Sequence, residues 1–427
     1  MNKDHAYPRD LAAFVLERWP EAAPALPDYA VFEELLSTCY QAGLMREEER
    51  PVNFRLILAE PEIFPLEAGP PIGYHRLEFI TPVPLDEDGL RRLSPAIDYS
   101  RSLVGVRSNG EGGFEIWGAV HSGPRWIRSV VGGRGQHPPL PPVPVVHVTA
   151  PGRLHVHRGD VLAAGLEGGR LSGSSMDIFD SNWLSESFAP VKDELASLNE
   201  EARVRAGKDW APLEPNLTRT IAQHTVRRII SVMRNARHGG TIVFVPTEVV
   251  EELSVENRYV AFKHTFPEGE SRRRFRTLIS GVTNRLAKIH GKGGASSYPK
   301  AVGWAEYQKS RDPLIEELDE AIFEVAHLIA NLSKVDGAVV MTKRFEVLGF
   351  GVEISGALPA VETVARTLDL EGERTLKEPT DGVGTRHRSA YRLCGALPGA
   401  VAVVVSQDGS TRFVTRKDGE VAYWDQV

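Results

Sequence analysis

The sequence predicts an α/β protein of two domains: a C-terminal mixed β-sheet flanked by helices, preceded by a separate α+β domain. Its 427 residues exceed what one ordinary hydrophobic core organises. In the second half, segments with helical spacing alternate with short apolar runs that are typical of buried strands. The stretch 210–216 contains two prolines, which indicates a linker. We therefore predict domains at 1–209 and 217–427.

The composition is that of a soluble globular protein, with 42% hydrophobic and 25% charged residues. A net charge of −7 argues against a nucleic-acid partner, because such proteins normally present a basic domain or stripe. Cys39 and Cys394 are the only cysteines, so no disulfide framework is expected and a reducing compartment is favoured. No apolar run approaches the roughly 18–20 residues that span a bilayer, and the first residues lack the apolar segment of a signal peptide. We expect a cytoplasmic protein with no membrane contact.

The first domain is predicted to mix helices and strands. Helical spacing covers 11–19 and 31–44, and a polar helical pattern covers 180–206. The segment 160–171 contains several glycines and is expected to form turns, whereas the prolines of 137–144 favour an extended polyproline II connector. Strands are expected at 53–59, 76–80, 103–107, 114–120, 145–149 and 153–157.

The second domain is predicted from two long amphipathic helices and several apolar strands. The first helix covers 217–233 with Asn216 as its expected N-cap, and the second begins with Asp312 as N-cap and Pro313 in the first position. A third helix is expected to start at Thr385 or Arg386. The segment 355–383 shows little pattern. Strands are expected at 241–246, 335–341, 347–354 and 400–405, followed by a closing hairpin of 412–415 and 421–424.

A single carboxylate, Asp336, opens the apolar strand 335–341. The next strand contains Gly349 and Gly351, and glycine inside a strand often marks the close approach of another group. That group would be an adenine or a ribose. A simple bulge in a hairpin is the alternative explanation.

A basic cluster begins the third predicted helix. Thr385 is a suitable N-cap, which would leave the backbone N–H groups of Arg386, His387 and Arg388 free to bind an anion. Arginine guanidinium groups match phosphate oxygens in pairs. Basic residues at a helix N-terminus are unfavourable unless an anion compensates them, so this cluster predicts a phosphate site.

Three segments together resemble the diadenylate cyclase family: Asp336-Gly337-Ala338, the cluster from Gly384 to Arg388, and the strand that ends at Ser406. The resemblance covers about 216 to the C-terminus. It implies that two ATP molecules are joined into cyclic di-AMP with loss of two pyrophosphates, using Mg²⁺ or Mn²⁺. Because each subunit of that family holds one ATP, it also implies a homodimer or higher homo-oligomer with facing active sites.

The resemblance also implies roles for individual residues. Asp336 would bind the metal ion and help to activate the 3′-hydroxyl, with Arg386, His387 and Arg388 as its catalytic partners. Gln407 departs from the membrane-anchored branch of the family, which has a glutamate there, and is similar to the DNA-integrity scanning branch. The first domain would be a sensor or regulatory region. The nucleotide would contact Gly337, Ala338, Ile354, Gly384, Thr385, Arg386, His387, Arg388, Ser389 and Ser406.

Two other functions fit the same residues. A non-catalytic module that senses a nucleotide needs the basic cluster but no carboxylate, and a phosphohydrolase could use His387. Elsewhere, surface histidines are favoured over a zinc site for His147, His155 and His157, and a solvated helix face is favoured over an anion site for 271–276. Trp117 and Trp126 are expected in the core, and the glycines of 109–113 in a hairpin turn.

Overall fold

A computed structural model describes residues 5–69, 73–99, 101–121, 132–134, 139–173, 177–206, 210–236, 238–254, 257–291, 301–407 and 409–426. The chain divides into two compact units. The N-terminal unit comprises Met1–Val130 and Gly135–Ser175, and the C-terminal unit comprises Val131–Arg134 and Met176–Val427.

This division corrects the predicted boundary at 210–216. The segment 177–206, which we assigned to the first domain, belongs to the C-terminal unit because Leu184 and Val191 are buried in the same core as the sheet residue Phe244. The expected linker is itself packed, since Ala211 is fully buried. Its prolines mark a bend between helices rather than the end of a domain.

The N-terminal unit contains three helices and ten strands among its described residues. Helices are α1 (Pro8–Arg18), α2 (Tyr29–Leu44) and α3 (Glu87–Leu93). Strands are β1 (Arg46–Glu47), β2 (Arg50–Pro51), β3 (Phe54–Leu58), β4 (His75–Pro84), β5 (Ser102–Ser108), β6 (Phe114–His121), β7 (Pro144–Ala150), β8 (Arg153–Arg158), β9 (Val161–Glu167) and β10 (Arg170–Ser172).

Eight of these strands form one sheet in the order β10-β9-β8-β7-β3-β5-β6-β4. One face packs against α1 and α2 through alternating side chains such as Leu56 and Val146. The six predicted strands are confirmed. The segment 160–171 is not a series of turns but forms β9 and part of β10, with Gly168 and Gly169 making the tight turn at positive φ.

The C-terminal unit contains eight helices and ten strands among its described residues. Helices are α4 (Asn182–Ser187), α5 (Ala189–Arg205), α6 (Leu217–Asn235), α7 (Val250–Ser254), α8 (Glu270–Ile289), α9 (Trp304–Lys309), α10 (Pro313–Leu332) and α11 (Thr385–Ala396). Strands are β11 (Gly240–Val245), β12 (Val260–Ala261), β13 (His264–Thr265), β14 (Ala338–Thr342), β15 (Val347–Ile354), β16 (Thr363–Thr367), β17 (Thr375–Pro379), β18 (Val401–Val405), β19 (Thr411–Lys417) and β20 (Glu420–Gln426).

These ten strands form a mixed sheet flanked by helices, as predicted. The order is β12-β15-β14-β11-β18-β19-β20-β16-β17, with β13 also paired to β15. The central pair β11–β14 is parallel, whereas β18 is antiparallel to β11. Alternate side chains face opposite layers: Ile242 and Phe244 pack with α6, α8 and α10, and Val243 and Val245 pack with α11.

The long helices begin where their sequences indicate, with one correction at a cap. The Asp312 carboxylate accepts a hydrogen bond from the backbone N–H of Ile315, which confirms that N-cap. Asn216 precedes α6 but its side chain makes no capping hydrogen bond. The segment 355–383, which showed little pattern, supplies β16 and β17 at one edge of the sheet.

Candidate functional site

Asp336 and Gly337 lie immediately before the first residue of β14. In the parallel pair β11–β14, Thr241 is opposite Ala338. Asp336 and Gly239 each precede one of these paired residues by two positions, so both lie at the same end of the sheet.

Ser406 lies at the same end of the sheet, on the other side of β11. In the antiparallel pair β11–β18, Gly240 is opposite Val405, so the next residue, Ser406, falls level with Gly239. Asp336, Gly239 and Ser406 therefore form a row at the same end of three neighbouring strands.

The basic cluster reaches this row through Arg386. Its Nη1 atom lies 3.0 Å from the position that a β-carbon would take at Gly239. That position is also 2.9 Å from the Val405 carbonyl oxygen, and Gly239 has φ +70°. The guanidinium is thus held over the end of β11, next to the strand that Asp336 opens. The acidic and basic segments predicted from the sequence converge on one end of the sheet.

Two glycines allow the backbones of β14 and β15 to approach closely beside this row. At Gly337, with φ +116°, a β-carbon would lie 2.6 Å from the Gly351 carbonyl carbon and 2.7 Å from the Val352 backbone nitrogen. Gly351 itself has φ +61°. The β14–β15 ladder also contains register shifts, so the simpler explanation, a bulge in a hairpin, describes it as well.

Beside the C-terminal end of β15, at the same end of the sheet as Asp336, lies a lysine that the sequence did not single out. Ile354 pairs with Val260 of β12 and is half-buried. Its neighbour Glu353 forms an ion pair of 2.8 Å with Lys263. The hydrogen bond to Glu353 raises the pKa of Lys263, and the Asp336 carboxylate adds to that effect. No sequence pattern could have identified Lys263, because the strands on either side of it, β12 and β13, are only two residues long.

The helix α11 begins at Thr385, one of its two predicted starts, but its N-cap lies one residue earlier than expected. Gly384, not Thr385, is the N-cap, and the Arg388 N–H donates to the Gly384 carbonyl oxygen at 3.2 Å. The N–H groups without an intrahelical acceptor are therefore those of Thr385, Arg386 and His387. The correction moves the predicted anion-binding end of the helix by one residue and leaves the same type of backbone donors there.

The side chains of this cluster differ in exposure. Thr385 and Arg388 are exposed, whereas Arg386, His387 and Ser389 are half-buried. The His387 ring lies 6.3 Å from that of Tyr391, one turn along the helix. Two guanidinium groups and the positive end of a helix dipole in a single turn favour an anion with several oxygens.

Asp336 is exposed and is the acidic residue in the row at this end of the sheet. Within the described ranges, no group of three or more histidines, cysteines or acidic residues could hold a metal ion by itself. A protein cage of the zinc type is therefore not present there. Mg²⁺ commonly uses one or two carboxylates together with substrate phosphates and water. One exposed carboxylate beside an anion site fits Mg²⁺ or Mn²⁺ on that basis.

His147, His155 and His157 are not surface histidines, contrary to expectation. His155 is only 5% exposed and its Nε2 lies 2.8 Å from a Glu167 oxygen. The rings of His147 and His157 stack with centroids 3.9 Å apart. Burial lowers the pKa of His157 to about 3 and that of His147 well below its ordinary value. Both rings are therefore neutral at physiological pH.

The remaining sequence features have structural roles. The segment 271–276 lies on the first turns of α8, where Arg274 pairs with Glu270 at the surface; Arg276 instead bridges towards other elements of the unit. Trp117 is fully buried, as expected, and Trp126 lies outside the described residues. The glycines of 109–113 form the turn of the β5–β6 hairpin.

Comparison with known proteins identifies part of the N-terminal unit. Residues 21–121 match the family model described as "Probable sensor domain DACNV", a domain associated with diadenylate cyclase proteins. The match extends from before α2 to the end of β6. The expectation of a sensor region in the first half is thus confirmed. No curated protein matches the chain. Among the described residues, we find no helix that combines the length and apolarity required to cross a bilayer.

Proposed function

We propose that this chain is a sensor-regulated diadenylate cyclase, which joins two ATP molecules into cyclic di-AMP and releases two pyrophosphates. The observation that supports it most is the position of Arg386 over Gly239, in the same row as Asp336. A carboxylate and a phosphate-binding helix terminus at the same end of a sheet are what nucleotidyl transfer requires. The DACNV match in the first half points to the same class of protein.

The residues of the candidate site have different proposed roles in the reaction. The free N–H groups at the start of α11 and the guanidinium groups of Arg386 and Arg388 bind the phosphates, with His387 as a further donor. Asp336 orients the 3′-hydroxyl of one ATP and accepts its proton. The hydroxyl oxygen then attacks the α-phosphorus of the other ATP, and pyrophosphate leaves with the bonding electrons.

The second half of the reaction is the same step with the two nucleotides exchanged, which closes the ring. Each subunit presents one ATP, so we propose an active homodimer or higher homo-oligomer in which the candidate sites of two subunits face each other. Asp336 would hold Mg²⁺ or Mn²⁺, which when bound offsets charge on the phosphate oxygens. Gly337, Ala338 and Ile354 would contact the nucleoside, and Gly384, Ser389 and Ser406 would complete the pocket.

The proposal is tested by incubating the full-length protein with ATP and either Mn²⁺ or Mg²⁺ and separating the products by chromatography. We expect cyclic di-AMP and pyrophosphate. Asp336→Asn should abolish turnover and leave ATP affinity within a few-fold of wild type, whereas Arg386→Ala should weaken binding itself. Asp418→Asn is the matched control, because Asp418 is an exposed acid in the β19–β20 turn, at the opposite end of the sheet.

The other outcomes identify the alternatives. Tight ATP binding without a cyclic product in either metal would indicate a non-catalytic nucleotide sensor. Mononucleotide products that depend on His387 would indicate a phosphohydrolase. Equal losses in Asp336→Asn and Asp418→Asn would remove Asp336 from the mechanism.

A further inference from the structure

The segment 132–134 belongs to the C-terminal unit, although the residues before and after it in sequence belong to the N-terminal unit. Between β6 and β7, two strands of the N-terminal sheet, the chain thus enters the C-terminal unit and leaves it again. All three residues of the segment are buried. Connecting segments normally run over the surface, so this burial indicates that the C-terminal unit binds the segment. We call it the docked segment.

Arg134 holds the docked segment through its guanidinium group. The residue is only 8% exposed. Its Nη1 donates hydrogen bonds to the carbonyl oxygens of Tyr307, at 3.0 Å, and Ser310, at 2.7 Å. Both carbonyl groups lie at the C-terminal end of α9, where backbone acceptors lack helical donors and a cation is favoured. The guanidinium also lies 5.3 Å from the centroid of the Tyr307 ring.

Two acidic residues of α10 lie close to the same guanidinium. Arg134 Nε is 3.8 Å from a carboxylate oxygen of Asp319, and Nη2 is 4.0 Å from one of Glu316. Asp319 is 7% exposed and also accepts a hydrogen bond from the Tyr307 hydroxyl at 3.1 Å. Removing one partner of a buried ion pair is strongly destabilising, because the other charge stays buried. The position of Asp319 therefore favours the docked state of the segment.

Gly132 brings the backbone of the docked segment against α6. It has φ +88°, and a β-carbon there would lie 2.1 Å from the His224 carbonyl oxygen and 3.0 Å from Arg227 Cβ. Glycine permits both this φ and this close approach. The His224 ring in turn stacks on Trp304 of α9, with centroids 4.3 Å apart. The docked segment thus contacts α6, α9 and α10 together.

Two of these helices lead directly into the row that contains Asp336. The helices α6 and α10 end four residues before Gly239 and Asp336, respectively. Their ends also meet at the start of β11, where a β-carbon at Gly240 would lie 2.8 Å from Met233 Cε and 2.7 Å from Ser333 Oγ. Rigid secondary elements and packed side chains of this kind carry coupling between distant sites. A displacement of α6 or α10 therefore changes the candidate site.

We propose that the docked segment regulates the candidate site. Its binding holds α6, α9 and α10, and through them Gly239 and Asp336, in the arrangement described above. A conformational change in the N-terminal unit, which contains the sensor-domain match, acts on the segment through the chain on both sides of it and shifts its docking equilibrium. The inference rests on the proposed function, since the regulated site is the proposed cyclase site, but the coupling is measurable without nucleotide.

The coupling is tested by hydrogen exchange of the full-length protein, read in the peptides that contain Gly239 and Asp336. Gly105→Ala supplies a perturbation inside the N-terminal sheet, because its β-carbon would lie 2.3 Å from the Trp117 ring. We expect Gly105→Ala to change exchange in both peptides at least threefold.

The same perturbation is then made in two further backgrounds. In Arg134→Met/Asp319→Asn, which removes both charges of the buried pair, Gly105→Ala should change exchange in these peptides less than 1.5-fold. Arg274→Met/Glu270→Gln is the matched control, because it removes an exposed ion pair of the same unit on α8. There the response to Gly105→Ala should equal that of the wild type. Loss of the response in one background alone is a measure of coupling.

Each result decides the proposal. An equal response in the wild type and in Arg134→Met/Asp319→Asn overturns it, because a segment with only a structural role would leave the response unchanged. No response in the wild type overturns it as well. If the double variant does not fold, as judged by circular dichroism, Gly132→Ala replaces it, since its β-carbon separates the segment from α6. An intact, Arg134-dependent response in a protein that makes no cyclic di-AMP would contradict the proposed function and leave the coupling established.

Discussion

Gly337→Ala is the substitution whose effect follows most directly from the backbone geometry of the candidate site. The new β-carbon would lie 2.6 Å from the Gly351 carbonyl carbon, against the 3.4 Å of an ordinary contact. The backbones of β14 and β15 would have to separate by about 0.8 Å, because the three atoms nearest the new β-carbon all belong to the backbone of Gly351 and Val352. The residue also has φ +116°, which L side chains rarely adopt.

The expected loss of stability can be worked from these two contributions. Backbone strain of this kind costs about 1–3 kcal/mol, and overpacking costs about 1–3 kcal/mol more. We therefore expect Gly337→Ala to destabilise the protein by about 4 kcal/mol, the middle of the summed range. In a unit of this size, 1 kcal/mol lowers Tm by about 2–4 °C, so Tm should fall by about 8–16 °C.

Calorimetry and titration with a non-hydrolysable ATP analogue check this prediction. Gly356→Ala is the matched control, because a β-carbon there would meet no atom within 4 Å and the backbone is not in the left-handed region. Gly337→Ala should also weaken analogue binding, since the proposed nucleoside contacts at Gly337 and Ala338 move with the strand. A Gly337→Ala protein with wild-type Tm would refute the close approach of the two strands.

Two further predictions concern the ends of the same sheet. Gly239→Ala should weaken ATP-analogue binding at least tenfold in a titration, because its β-carbon would lie 3.0 Å from Arg386 Nη1 and 2.9 Å from the Val405 carbonyl oxygen; unchanged affinity would show that Arg386 does not act from there. Burial lowers the pKa of Lys343 from 10.5 to about 8, so the charged ammonium destabilises the folded protein below pH 8, and this penalty disappears as the pH rises towards 10.5. The penalty is at most about 3 kcal/mol. In urea denaturation, the wild-type protein should therefore gain stability relative to Lys343→Met between pH 7.5 and pH 10. Parallel pH profiles of the two proteins would contradict the burial of that charge.

The long amphipathic elements of the fold could be predicted from the sequence. The apolar spacing of α6 and α10 and the runs of β11, β14 and β18 are local patterns that tertiary packing only reinforces. Elements with weak periodicity could not be found. The edge strand β17 has largely exposed side chains, and its neighbour β16 buries Val364, Ala365 and Thr367 without strict alternation, so hydrophobic alternation marks neither strand.

The kinds of residue in the candidate site were also predictable, but their arrangement was not. An acid before a buried strand and a basic helix start are visible in the sequence at Asp336 and Arg386. Their proximity depends on β11 lying between β14 and β18, and strand order is not a local property. Lys263 joins the site only because β12 and β13 pair with β15, and nothing in its own segment indicates this.

The domain boundary was predicted wrongly from a local signal. Prolines at 212 and 215 are a valid local signal for a break in regular structure. They do not report which core the preceding helices join. The apolar positions of α4 and α5, such as Leu184 and Val191, pack on the C-terminal sheet, and few apolar residues on α5 indicate this beforehand.

The most direct test of the account is a crystal structure of the full-length protein with a non-hydrolysable ATP analogue and Mn²⁺. The account predicts phosphate oxygens within hydrogen-bond distance of the Arg386 guanidinium and of the first N–H groups of α11, with the Asp336 carboxylate on the metal ion. A nucleotide bound elsewhere, or one that contacts the basic helix end while Asp336 stays away from it, would contradict the convergence of the two segments on one triphosphate.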